Sequence, residues 1–122
     1  MLDVVHLQQK LDGFDETWVP KVVGELNGQY VKLAKFQGEY VWHSHEHEDE
    51  MFLVLKGTMQ LHLEDGVLDV APGSFVIVPR GVRHKPAAAE LVECLLFEPA
   101  ATRNTGDVTH GYTIEADDLE RI

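Results

Sequence analysis

Residues 38–57 read GEYVWHSHEHEDEMFLVLKG, and the nine from Trp42 to Glu50 carry three histidines and four acids. A stretch this polar is either a charged, exposed loop or a metal site. Alternation along a strand separates the two readings, because successive side chains point to opposite faces. On a strand His43 and His45 share a face and can share one ion, while Trp42 and Ser44 point away. A turn over residues 46–49 then starts a second apolar run, MFLVLK, and brings Glu50 back beside the two imidazoles. Two imidazoles and a carboxylate with open positions suit Fe(II) or a similar metal. His84 lies about forty residues further on, after the sharp turn Pro79-Arg80-Gly81. A barrel can set its strand opposite the first two histidines, which makes His84 the fourth candidate ligand.

Outward from this stretch the chain keeps a β texture. Strands are expected over Tyr30–Phe36, Tyr40–His45, Met51–Leu55, Met59–Leu63, Val67–Val70, Ser74–Val78, His84–Ala87 and Leu91–Phe97. Gln37-Gly38, Lys56-Gly57, Glu64-Asp65-Gly66 and Ala71-Pro72-Gly73 punctuate them with turn residues. Parallel crossovers need a dozen or more residues per connection, which these gaps do not provide. The expectation is therefore an antiparallel all-β sandwich or barrel. Helical spacing is confined to Val4–Leu11 and, weakly, to Ala116–Ile122.

The two ligand-bearing segments read Gly38-x4-His43-x-His45-x4-Glu50-x6-Gly57 and Gly73-x5-Pro79-x-Gly81-x2-His84. In order and separation they resemble the two motifs of the cupin superfamily. The first gap is one residue shorter than the usual consensus. Ala88 stands where that family often has Asn, a position that is not a ligand. The segments WHSHEHEDEMFLVLKG, VPRGVRHKP and EPAATRNTGD are similar to those of small single-domain cupins. The resemblance implies an antiparallel double-stranded β-helix, the cupin jelly-roll barrel, with short terminal extensions. It implies one domain over residues 1–122, with a barrel core at about 28–100. Residues 1–27 would be an arm and 101–122 a tail. It also implies one divalent transition metal (Fe, Mn, Ni, Co, Cu or Zn) on His43, His45, Glu50 and His84. In cupin enzymes the residue matching Glu50 serves as ligand, base or both, so Glu50 is also the catalytic candidate.

Other residues carry weaker signals. His47 falls in the turn and reads as a solvated loop residue. His6, His62 and His110 have no partner at ligand spacing. Cys94 sits in an apolar run and reads as a small buried hydrophobe. Arg80, Arg83 and Lys85 flank His84 and are expected at the surface, with one able to meet an anion at a cavity mouth. Phe36, Trp42, Phe52, Phe75 and Phe97 are expected in the core or at a dimer interface. Gln60, His62 and Glu93 are reserve acid/base candidates.

Composition bounds the function. The chain has 122 residues, 44% of them hydrophobic, enough for one packed core. A formal charge of −11 offers no basic stripe for nucleic acid and no electrostatic membrane anchor. No apolar run approaches the roughly 20 residues of a membrane span. The N-terminus lacks a signal-peptide core, and Cys94 stands alone, so a cytoplasmic location is expected. Three neutral imidazoles and one carboxylate leave a divalent ion with net charge +1 and two open positions. That suits a small, oxygenated, anionic molecule, as substrate of a dioxygenase or isomerase/lyase, or as ligand of a non-catalytic binder or sensor. A homodimer is expected, covering an exposed sheet edge.

Overall fold

A computed structural model describes residues 2–122. Its elements run α1 (Leu7–Leu11), β1 (Lys21–Leu26), β2 (Gln29–Glu39), β3 (Glu50–Lys56), β4 (Met59–Leu63), β5 (Gly66–Val70), β6 (Phe75–Val78) and β7 (His84–Pro99). A 3-10 turn over Ala116–Asp118 and a short β8 (Glu120–Arg121) close the chain. No helix is long and apolar enough to cross a membrane.

The strands form the all-β jelly-roll barrel, and β7 is its spine. The first residues of β7 pair with β4, its last with β3, and nearly its whole length with β2. Two expected strands, His84–Ala87 and Leu91–Phe97, are thus one. The run Ala87-Ala88-Ala89-Glu90 reads as a break, yet it is where β2 and β7 slip register around Gly38 and Ala88. A register slip of this kind is a β-bulge, which bends a strand locally.

Burial follows strand alternation. Ala34 and Phe36 of β2, Phe52 and Val54 of β3, Met59 and Leu61 of β4, and Val92, Cys94 and Leu96 of β7 fill the interior. The outer face is partly covered as well. Leu7, Leu11 and Phe14 lie over Leu33, Leu55 and Leu95, with Ile122 at the edge. Gly57 takes a positive φ of 77° in the β3–β4 turn. A Cβ there would meet the Leu91 carbonyl oxygen at 2.5 Å, so only glycine fits the turn against β7.

Four expectations change. Tyr40–His45 forms no regular strand; His43 bridges to His84, and the Tyr40 N–H donates to the Pro86 carbonyl. Residues 21–26, expected in an arm, form β1 and pair with β2. The helix expected over Ala116–Ile122 is cut to the 3-10 turn at Ala116–Asp118, after which β8 runs parallel to β1 while the other strand pairs are antiparallel. There the Ile122 N–H donates to the Val22 carbonyl, and Glu120 meets Lys21 at 3.1 Å. Backbone pairing and the burial of Ile122 outweigh a weak local helical preference. Helix α1 spans Leu7–Leu11 where Val4–Leu11 was expected, and of its residues only Leu11 is buried.

Candidate metal centre

Each candidate ligand is fixed by its own local backbone. The His43 N–H donates to the His84 carbonyl at 3.0 Å, and the His84 N–H returns to the His43 carbonyl at 2.9 Å. Gly81 N–H donates to the His45 carbonyl. On the other side Asp107 clamps Ser44: its carboxylate accepts the Ser44 N–H and its own N–H donates to the Ser44 carbonyl. Gly106 lies so close to His43 and Ser44 that no Cβ would fit. These bonds explain why residues 40–45 leave the ladder. Backbone groups of Tyr40, His43, Ser44 and His45 pair instead with Pro86, His84, Asp107 and Gly81.

The imidazoles are aimed by the same means. Nδ1 of His43 lies 2.9 Å from the Val41 carbonyl, and Nδ1 of His84 lies 2.9 Å from the Val82 carbonyl. A carbonyl only accepts, so in the neutral ring the proton sits on Nδ1 and the lone pair on Nε2. Burial foremost, and then His84 beside it, lowers the His43 pKa to about 4, which keeps the ring neutral near pH 7.

His43, His45, Glu50 and His84 are all at most 4% exposed. One ligand atom from each lies within 4.8 Å of every other. Nε2 of His84 is 3.3 Å from Glu50 Oε1, and Nε2 of His45 is 3.5 Å from it. Two donors about 2.1 Å from one ion and at right angles to each other stand about 3 Å apart, so these spacings suit a shared cation. Both ring nitrogens of His45, Nε2 of His84 and Oε1 of Glu50 are buried with no hydrogen-bond partner. Buried polar atoms without partners are costly, and a shared cation would satisfy three of these, one from each residue. The residues present therefore fit a divalent metal.

A second carboxylate shares the cavity. Met51 pairs with Phe97, so one step along both strands Glu50 stands opposite Glu98. Glu98 is 2% exposed, and its Oε1 accepts from the fully buried Lys32 ammonium at 2.7 Å. Burial works to raise the Glu50 carboxyl, but the adjoining Glu98, His45 and His84 side chains outweigh it and hold Glu50 well below the usual range. Glu98 is pushed well above that range, by burial first and then by the charge of Glu50, with Lys32 opposing. The cavity encloses about 30 Å³. Trp18, Phe36, Tyr40 and Phe52 wall it, with His43, Glu50 and Glu98 as polar lining. Trp18 stacks on Phe36 at 4.6 Å and on Tyr40 at 4.7 Å. Trp18 holds a positive φ of 63°, rare for a bulky residue, and its indole N–H donates to the Gln37 carbonyl.

The family pattern described as the cupin domain matches residues 29–98. The chain is a cupin. This cupin resembles the crystal structure of a cupin-2 domain containing protein from Shewanella frigidimarina, with 38% identity and a TM-score of 0.78, over 79% of this chain and 94% of that one. Protein NMB1881 from Neisseria meningitidis is similar at 28% identity and a TM-score of 0.73, over 80% and 99% of the two chains. The uncharacterized protein YdbB of Bacillus subtilis is 36% identical over 64 residues, 52% of this cupin. The match spans 57% of that relative's length.

The remaining sequence candidates lie elsewhere. The His47 side chain is 80% exposed, 3.7 Å from Glu46. Arg80 donates to Asp49, Arg83 lies over Trp42, and Lys85 pairs with Glu39, so none of the three lines the cavity. Gln60 and His62 alternate with the buried Met59 and Leu61 and face outward. Glu93 is buried on the opposite face of β7 beside Lys35. Cys94 is fully buried, and burial pushes its thiol up, away from reactivity. Glu98 was legible in principle. Counting by twos from Val92 through Cys94 and Leu96 reaches it, but ending the strand at Phe97 leaves it out.

Proposed function

We propose that this cupin binds one divalent transition metal on His43, His45, Glu50 and His84 and acts as a metal-dependent enzyme on a small, oxygenated anion. The reaction type is that of a dioxygenase or an isomerase/lyase. The observation that carries this reading is the convergence of partnerless, buried donor atoms from His45, Glu50 and His84 on one point in a walled cavity. A metal held there supplies Lewis-acid or redox chemistry. The protein's share is orientation and exclusion of water. The Val41 and Val82 carbonyls fix two imidazoles, Glu50 supplies the one anionic donor, and Trp18, Phe36 and Phe52 keep the cavity apolar. The site's +1 charge with a divalent ion favours an anionic oxygen ligand. Glu50 is the catalytic candidate, as ligand first and as proton carrier second.

Elemental analysis of untagged protein should give about one transition metal per chain and name it among Fe, Mn, Ni, Co, Cu and Zn. His84→Ala should lose that metal, together with turnover of small hydroxy, enol or keto acids. Metal retained at full occupancy in His84→Ala would overturn the reading. Binding of such compounds without turnover of any would assign a sensor's role instead. For a partner we propose a second copy of the chain. In support, β6 pairs only with β3 among the described residues, and Phe75 and Ile77 on it are 54% and 56% exposed. Sedimentation of Ile77→Lys should show monomers where the parent chain gives dimers. A cytoplasmic location accords with a lone, buried cysteine.

A further inference from the structure

The cavity is too small for the function proposed for it. A space of about 30 Å³ is room for roughly two waters, and the four candidate ligands are almost fully enclosed. A small organic anion enters only if a wall moves. Phe36, Phe52 and Leu96 stand on the ladder of β2, β3 and β7. Trp18 is pinned to β2: its backbone N–H donates to the Lys35 carbonyl and its indole N–H to the Gln37 carbonyl. Asn104 comes instead from the irregular segment 103–115.

That segment is bonded mainly to itself. Asn104 donates to the Tyr112 carbonyl and accepts the Ile114 N–H. Arg103 donates to the Gly106 carbonyl, to Thr109 and to Glu115, and the Thr105 and Thr113 hydroxyls meet at 2.7 Å. Among the described residues, its hydrogen bonds to the barrel are the two between Asp107 and Ser44. One stack adds to them, Tyr112 on Tyr40 at 5.5 Å and 13°. The segment buries Asn104 and Thr105 but no apolar side chain. A piece closed on itself and lightly docked opens at low cost, as a lid must.

We propose that residues 103–115 are a lid that swings as one body, latched by Asp107 on Ser44 and by Tyr112 on Tyr40. The proposal rests on the metal-site reading above and supplies its entrance. Opening withdraws Asn104 from the cavity wall and uncovers Tyr40. Closing brings Gly106 against His43 and fixes the backbone of Ser44, which stands between two of the ligands. Asp107 is thus a positioning residue for the centre, acting through Ser44.

Amide hydrogen exchange in the metal-free protein reads the lid without the metal. The Ser44 and Asp107 amides, which bond across the latch, should be less protected than the Gly106 and Ile114 amides, which bond within the lid. Equal protection of all four would mean that the segment unfolds instead of swinging, and would overturn the proposal. Untagged protein loaded with Co2+ reads the same motion at the centre, because a chelator reaches the ion only past the lid. Tyr112→Ala should speed Co2+ loss to excess EDTA roughly three- to tenfold, the worth of an aromatic pair. Asp107→Ala should speed it about tenfold, for a lost bond to a charged acceptor. Lys35→Met, which weakens the barrel on its other face, should release Co2+ at the parent rate. Unchanged release in both lid variants would overturn the proposal, and so would equal acceleration in Lys35→Met. Failure to take up Co2+ at all would bring down the metal site and leave the lid to be decided by the exchange data.

Discussion

Strands β2 and β7 carry two buried Lys–Glu pairs, one on each face of the same ladder. On the outer face Lys35 and Glu93 stand directly opposite, 3.8 Å apart, and Lys35 also donates to the Phe14 carbonyl at 2.6 Å. On the inner face Lys32 reaches Glu98 at 2.7 Å, with Glu50 as the next carboxylate. The chemistry is the same and the surroundings differ. The outer lysine fastens the segment after α1 to the barrel, so that pair is explained by packing. The inner pair joins two strands that the ladder already holds; it borders the cavity, and Glu98 Oε2 has no partner. A buried ion pair is weak evidence for stability by itself. What it adjoins decides what it is for.

Single substitutions test that contrast most strongly. Lys32→Met strands a second carboxylate beside Glu50 and should cost about 3–5 kcal/mol in denaturant unfolding. Lys32→Met/Glu98→Gln should recover most of that loss. A double variant no more stable than Lys32→Met would break the comparison. Acid should act next, and through the inner face. His43 titrates at about 4 in the fold against an ordinary 6.5, so between those values the unfolded chain binds more protons. Stability of the metal-free protein should be fully present above pH 6.5 and fall by up to about 3 kcal/mol as pH drops to 4. A flat urea midpoint over that window would contradict the buried neutral imidazole.

Lys35→Met should cost less, about 1–3 kcal/mol, because the outer pair can relax toward solvent once the Phe14 bond is gone. Its metal content should equal that of the parent chain; a loss of metal would mean that the two faces are not independent. The exposed Arg80–Asp49 pair sets the floor. Arg80→Ala should leave the melting temperature within error, since water already solvates both groups.

Much of the centre was legible along the chain. His43 and His45 alternate onto one face, Glu50 opens the next apolar run, and the turn at Pro79 and Gly81 leads to His84. Each signal is local, a spacing or a turn residue. The irregular course of residues 40–45 was not legible, because it depends on hydrogen bonds from Gly81 and Asp107, far away in sequence. Parallel pairing of β8 was hidden for the same reason.

Taken alone, the sequence determined which side chains could serve as ligands and in what order, because alternation and turn chemistry are properties of neighbouring residues. Only the tertiary structure decided which carboxylates meet. Glu93 and Glu98 lie five residues apart on one strand, and both are buried beside a lysine. The length of β7 and its register against β3 put Glu98 inside with Glu50 and Glu93 outside. That register is set by contacts between distant segments, and a two-residue repeat shows only that the two glutamates face apart.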